Sequence, residues 1–157
     1  MKDRYFAYFF VGLAVFLIDQ ATKYLIIYNL SLYQVIKILP FFNIVYYRNI
    51  GSAFGMFKSL GNVFFIVVSA AAIIAVCVMI VKDGQNRLGF SLILGGAAGN
   101  LADRVIHGYV IDFIEVYAGR FYWPAFNVAD SALSLGIVFL LLRTLLRPGS
   151  DFGTVDH

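Results

Sequence analysis

Residues 62–81 read Asn-Val-Phe-Phe-Ile-Val-Val-Ser-Ala-Ala-Ala-Ile-Ile-Ala-Val-Cys-Val-Met-Ile-Val, an apolar run without one charged side chain. An α-helix needs around 20 such residues to cross a hydrocarbon core of about 30 Å. The run therefore reads as a membrane span, and it sets the class of the whole chain. Working outward, Lys82-Asp83-Gly84-Gln85-Asn86-Arg87 is a short polar turn. A third apolar segment follows from about Leu88 to Leu101. It reaches span length only if it runs on through Gly95-Gly96-Ala97-Ala98-Gly99 to Asp103. Gly95 and Gly99 are four apart, a spacing that lets helix backbones approach closely. The first segment, about Tyr5–Tyr28, follows Lys2 and Arg4 and carries Asp19 and Lys23. It exceeds the roughly 7–15 apolar residues of a signal peptide, so it reads as a retained first helix. A fourth segment, about Val128–Leu146, contains Arg143 and ends at Arg147 and Pro148. The expectation is an all-α integral membrane protein with four transmembrane helices. Residues 1–148 form a single domain, and the polar stretch 149–157 is a frayed tail.

Composition agrees. Hydrophobic residues make up 61% of the 157 and charged residues 13%, against about 45–50% and 25% in soluble domains. Mean hydropathy is +0.83 and the pI is near 9.0. The net charge of +3 comes from scattered Lys and Arg, with no basic cluster of the kind that binds nucleic acid. Four spans put both termini on one side with Lys2, Arg4, Lys82, Arg87, Arg143 and Arg147, which the positive-inside rule makes cytoplasmic. Lys37, Arg48, Lys58, Arg104 and Arg120 fall on the other side and dilute that signal. The single cysteine, Cys77, excludes an intramolecular disulfide and reads as a small buried hydrophobe.

The two outer connections are richer than linkers. Val35-Ile36-Lys37-Ile38-Leu39 and Asn43-Ile44-Val45-Tyr46-Tyr47, separated at Pro40, are β-branched and aromatic and predict short strands. Residues 107–126 hold seven aromatic rings among Tyr109, Phe113, Tyr117, Phe121, Tyr122, Trp123 and Phe126. They predict an interfacial segment at the membrane surface.

Ionisable residues within apolar segments are costly and mark function by default. Asp19, Asp103, Asp112 and Asp130 all fall toward the outer helix ends, which predicts a site at that face. Asp19 and Lys23, spaced i, i+4, can form a structural ion pair. Asn100 and Asp103 are expected to share a face of the third helix while Arg104 points elsewhere, toward a lipid headgroup, a peptide carbonyl or simply water. Asn127 and Asp130 carry the spacing of a helix N-cap and its third residue. Asp112, flanked by Val110-Ile111 and Phe113-Ile114, has no such plain structural use. Two carboxylates close together in a low dielectric cannot both ionise, so one acts as acid and the other as base. Other hydrolytic chemistries fit less well. No His-Glu-x-x-His zinc pattern occurs, and Gly89-Phe90-Ser91 lies far from His107. A Ser52–Lys58 dyad is possible by composition but no spacing favours it.

Five blocks, in order, then point to one family: Asp19-Gln20-Ala21-Thr22-Lys23, Arg48-Asn49-Ile50-Gly51-Ser52-Ala53-Phe54-Gly55, Gly99-Asn100-Leu101-Ala102-Asp103-Arg104, Val110-Ile111-Asp112-Phe113-Ile114 and Phe126-Asn127-Val128-Ala129-Asp130-Ser131. From about Ile18 to Leu146 the chain resembles the lipoprotein signal peptidases, signal peptidase II. It departs mildly at Ser52, usually Ala in the family, and at Ala102, usually a larger aliphatic. The resemblance implies an aspartic endopeptidase of the bacterial inner membrane with its site at the outer face. It also implies a diacylglyceryl-prolipoprotein substrate, contact with membrane lipids, inhibition by globomycin-type cyclic peptides, and neither metal nor cofactor. Asp112 and Asp130 match the catalytic pair. Asn49, Gly51, Asn100, Asp103, Arg104 and Asn127 match positions lining the site, and Asp19 and Lys23 match positions supporting it. The first outer connection would be a β-sheet cradle and the second a mobile covering segment. A presenilin-like protease would also use two aspartates, but Asp112 lacks the preceding Gly-x-Gly. A small transporter would place its charges at mid-membrane depth.

Overall fold

The computed structural model describes residues 4–51 and 61–146. Ser52, Lys58 and the polar tail lie outside them. Four helices form a bundle: α1 Arg4–Asn29, α2 Gly61–Lys82, α3 Arg87–Ile106 and α4 Val128–Leu145. Three are long and apolar enough to cross a membrane, namely α1, α2 and α4. The expectation of four apolar spans is corrected at α3. Its 20 residues suffice in length, but Asn100, Asp103, Arg104 and its glycines deny it the apolar composition.

The reason is where α3 sits. It packs against α1, α2 and α4 together, so its buried face is built of Gly89, Ser91, Gly95, Gly96, Ala97, Gly99, Asn100 and Asp103. Small residues let neighbouring backbones close in. A Cβ on Gly95 would stand 2.4 Å from the Gly12 carbonyl oxygen, so only glycine permits this α1–α3 contact. By contrast α2 buries only Ile80 among its described residues. Its Val63, Val67 and Ile74 are exposed, as are Leu13 and Leu17 of α1 and Leu141 of α4. Apolar side chains directed outward on this scale identify a surface solvated by lipid.

At one end of the bundle the two long connections make a single four-stranded antiparallel sheet: β1 Val35–Leu39, β2 Phe42–Asn49, β3 Val110–Ala118 and β4 Phe121–Tyr122, in that order. The expected strands are β1 and β2, joined by a turn at Pro40-Phe41. The second connection also supplies two strands that the sequence reading did not include, β3 and β4, and β3 pairs along β2 with Tyr47 opposite Asp112 and Asn49 opposite Val110. The alternation Val110, Asp112, Ile114, Val116 is a strand pattern that the abundance of aromatics masks. Ile26 of α1 packs with Tyr46, Ile111 and Phe113 of the sheet, fixing sheet to bundle. At the opposite end Asp83 caps the α2–α3 turn, accepting from the backbone N–H of Gln85 and Asn86, and Arg143 donates to the Gln85 carbonyl.

Candidate active site

Asp130 enters the site through helix capping. Asn127 is the N-cap of α4, and its Oδ1 accepts the Asp130 backbone N–H at 2.9 Å. The Asp130 carboxylate is left to face outward from the first turn, where Asn100 Nδ2 donates to Oδ1 at 2.7 Å. Asp112 arrives on β3. Its Oδ2 accepts from Asn49 Nδ2 at 3.0 Å and its Oδ1 from Asn127 Nδ2 at 2.8 Å. One side chain, Asn127, thus holds both aspartates. Asn49 is braced in turn, its Oδ1 accepting the Gly51 backbone N–H at 3.1 Å.

Behind the aspartates lies a charged triad. Lys23 Nζ stands 2.8 Å from Asp19 Oδ2 and 2.9 Å from Asp103 Oδ2, and it donates to Asn100 Oδ1 at 3.1 Å. The expected Asp19–Lys23 pair is therefore present, with Asp103 as a second counter-ion. Arg104 is directed to the cavity, apart from the Asn100 and Asp103 side chains. It lines the same cavity wall as Asp130, donates to the Asn100 carbonyl oxygen at 3.2 Å, and lies over the Phe65 ring.

The cavity measures about 610 Å³ and is lined by polar Asn49, Arg104, Asp130, Ser131 and Ser134 and by apolar Trp123, Pro124, Phe126 and Leu135. Asp130 is on the wall and Asp112 lies deeper, only 3% exposed. Burial pushes the Asp112 carboxyl up to about 7, and the nearby charge of Asp130 adds to the rise, while hydrogen bonds from Asn49 and Asn127 and the charge of Lys23 oppose it. A carboxyl that keeps its proton near neutrality beside a second carboxylate can donate and accept protons on one substrate. No group of three or more His, Cys, Asp or Glu among the described residues is gathered as a metal site.

The signal peptidase II family pattern matches residues 11–146. The chain belongs to that family. The lipoprotein signal peptidase of Thermodesulfovibrio yellowstonii is 52% identical over 133 residues, 85% of this chain and 90% of that one. That of Alteromonas mediterranea is 37% identical over 142 residues, covering 86% and 78%. A bacterial membrane enzyme solved by the in meso method at 2.3 Å superposes with a TM-score of 0.82 at 30% identity over 94% of each chain. A second, at 1.9 Å, gives 0.80 at 32% identity over 90% of this chain and 94% of that one. Signal peptidase II is a protease family, and this member has the apolar helices of a membrane enzyme.

All ten site residues read from the sequence of this peptidase converge on the cavity or on the polar cluster behind it. Three further polar residues were not singled out, two on the cavity wall and one on β3. Ser131 and Ser134 line the wall, and their spacing from Asp130 along α4 placed them within one to four residues of it on the helix. Glu115, buried on β3 and bonded to Asn43 Nδ2 at 2.7 Å, carried no signal because its partner lies on another strand.

Proposed function

We propose that this peptidase removes signal peptides from diacylglyceryl-modified prolipoproteins, cutting just before the lipidated cysteine with Asp112 and Asp130 as an aspartic dyad. The observation that carries this reading is Asn127, whose one amide binds the Asp112 carboxylate and the Asp130 backbone beside a cavity that Asp130, Asn49 and Arg104 line. Asp130, at the wall, takes a proton from water as the water oxygen bonds to the scissile carbonyl carbon. Asp112, protonated up to about pH 7 by burial, gives its proton to the carbonyl oxygen. When the C–N bond breaks, the proton held by Asp130 passes to the departing amine, and the carbonyl proton returns to Asp112. Both carboxyls finish as they began. Arg104 and Asn49 donate to the extended substrate backbone, which must satisfy its polar groups beside lipid. Trp123, Phe126 and Leu135 accommodate the acyl-bearing side. Globomycin-type cyclic peptides would occupy the same cavity.

The same reading makes α3 a fourth crossing, since three apolar helices and their packing shield its polar face from lipid. Both termini are then cytoplasmic, and the sheet and the cavity face the outer side of the bacterial inner membrane.

One substrate prepared with and without diacylglycerol, at equal concentration, tests the specificity. The lipidated form should be cut and the bare peptide poorly or not at all, because binding energy from the remote acyl chains positions the scissile bond. Equal rates would leave a membrane protease without lipoprotein selectivity.

A further inference from the structure

The residue immediately before each site aspartate has its backbone N–H held by a buried carboxylate from another element. Ile111, before Asp112, donates to Asp103 Oδ2 at 3.0 Å, and Ala129, before Asp130, donates to Asp19 Oδ1 at 2.8 Å. Lys23 joins the two carboxylates, and Gln20 Nε2 spans them as well, at 3.2 Å from Asp19 Oδ2 and 3.0 Å from Asp103 Oδ1. Asp19, Lys23 and Asp103 are at most 1% exposed.

Stability is a poor reason for such a cluster. Replacing a buried ion pair or triad by well-packed apolar residues is often neutral or stabilising. Direction and distance are what it supplies. Asp112 rides on β3 and Asp130 on the N-terminus of α4, elements joined by the Ile114–Phe126 backbone bridge and by Asn127. The pair of tethers ending on one ammonium adds a second brace, at the residue next to each aspartate.

We propose that Asp19 and Asp103 are positioning residues that set the separation of the two dyad carboxylates through the backbone N–H groups of Ala129 and Ile111, with Lys23 as their common counter-ion. The inference rests on the dyad reading given above. Gly99 belongs to the device, because a Cβ there would stand 2.4 Å from Asp19 Oδ2 and drive that carboxylate from its place.

Two variants displace the tethers without changing the cluster's charge. Asp103→Glu keeps the charge and displaces the tether by one methylene. The test measures kcat and KM on a lipidated substrate, per folded enzyme, with thermal unfolding in detergent alongside. Val67→Leu, on the exposed face of α2, should turn over close to the parent. Asp103→Glu should lose about a hundredfold in kcat with KM little changed, the effect of roughly 1 Å of misplacement. Gly99→Ala, which alters no charge, should show the same pattern and carries the test if Asp103→Glu does not fold. Parent-like kcat in both displaced variants would overturn the proposal, as would a loss that appears in KM with kcat unchanged. Cleavage by Asp112→Asn in the same preparation would instead remove the dyad reading, and this proposal with it.

Discussion

At the scale of single residues the site turns on what burial does to Asp112. Unfolded, this carboxyl ionises near pH 4, whereas in the folded protein burial and Asp130 move it to about 7. Between those values the folded protein holds a proton that the unfolded chain has released, so stability falls as pH rises through that window. Each pH unit is worth about 1.4 kcal/mol at most. Asp112→Asn cannot ionise and should escape the loss. Melting curves at pH 4 and pH 8 check this: the variant should match the parent at pH 4 and unfold higher at pH 8, while remaining inactive. For the same reason the parent's kcat/KM should decline above about pH 7 as the acid loses its proton. Asn127→Ala acts differently. It removes the helix cap, costing about 0.5–2 kcal/mol, and takes a donor from Asp112. Turnover should fall far more than the melting temperature does, and a fall confined to stability would show that the cap alone matters.

At the scale of elements, α3 is the helix on which the others are assembled. Gly95→Leu would force a side chain into a space where even a Cβ meets the Gly12 carbonyl at 2.4 Å. Its abundance and melting temperature in detergent should drop sharply, whereas Val67→Leu on the exposed face of α2 should change neither. This contrast also explains what was legible in sequence. The apolar runs of α1, α2 and α4 announce themselves because lipid rewards any apolar residue on any outward face. In α3 the same membrane selects small and polar residues, because its faces meet protein, and its ends extend past the apolar stretch to Arg87 and Ile106. The strands divided likewise. β1 and β2 follow one another across a two-residue turn, so local pattern finds them. β3 pairs with β2 across the length of α2 and α3, and no local signal carries that pairing.

At the scale of the whole molecule, sheet and cavity share one end of the bundle, and the α2–α3 turn with Lys82, Arg87 and Arg143 occupies the other. Single cysteines in a Cys77→Ala background report the orientation. Gln85→Cys should label with an impermeant reagent only from the cytoplasmic side, and Arg120→Cys only from outside; the reverse would invert the topology. The aspartates of the site were readable individually, as charges where lipid makes charge expensive. Their hydrogen-bond partners were not, because those of Asp112 come from β2 and the N-cap of α4 and that of the Asp130 carboxylate from α3. The central claim is that these two aspartates together cut a lipid-modified substrate, and one measurement meets it directly. Parent, Asp112→Asn and Asp130→Asn, reconstituted at equal folded amounts, are incubated with a diacylglyceryl-modified prolipoprotein and the products weighed by mass spectrometry. The parent should yield a chain beginning at the lipidated cysteine and each variant only uncut substrate. The same product from either variant at the parent's rate would contradict the account.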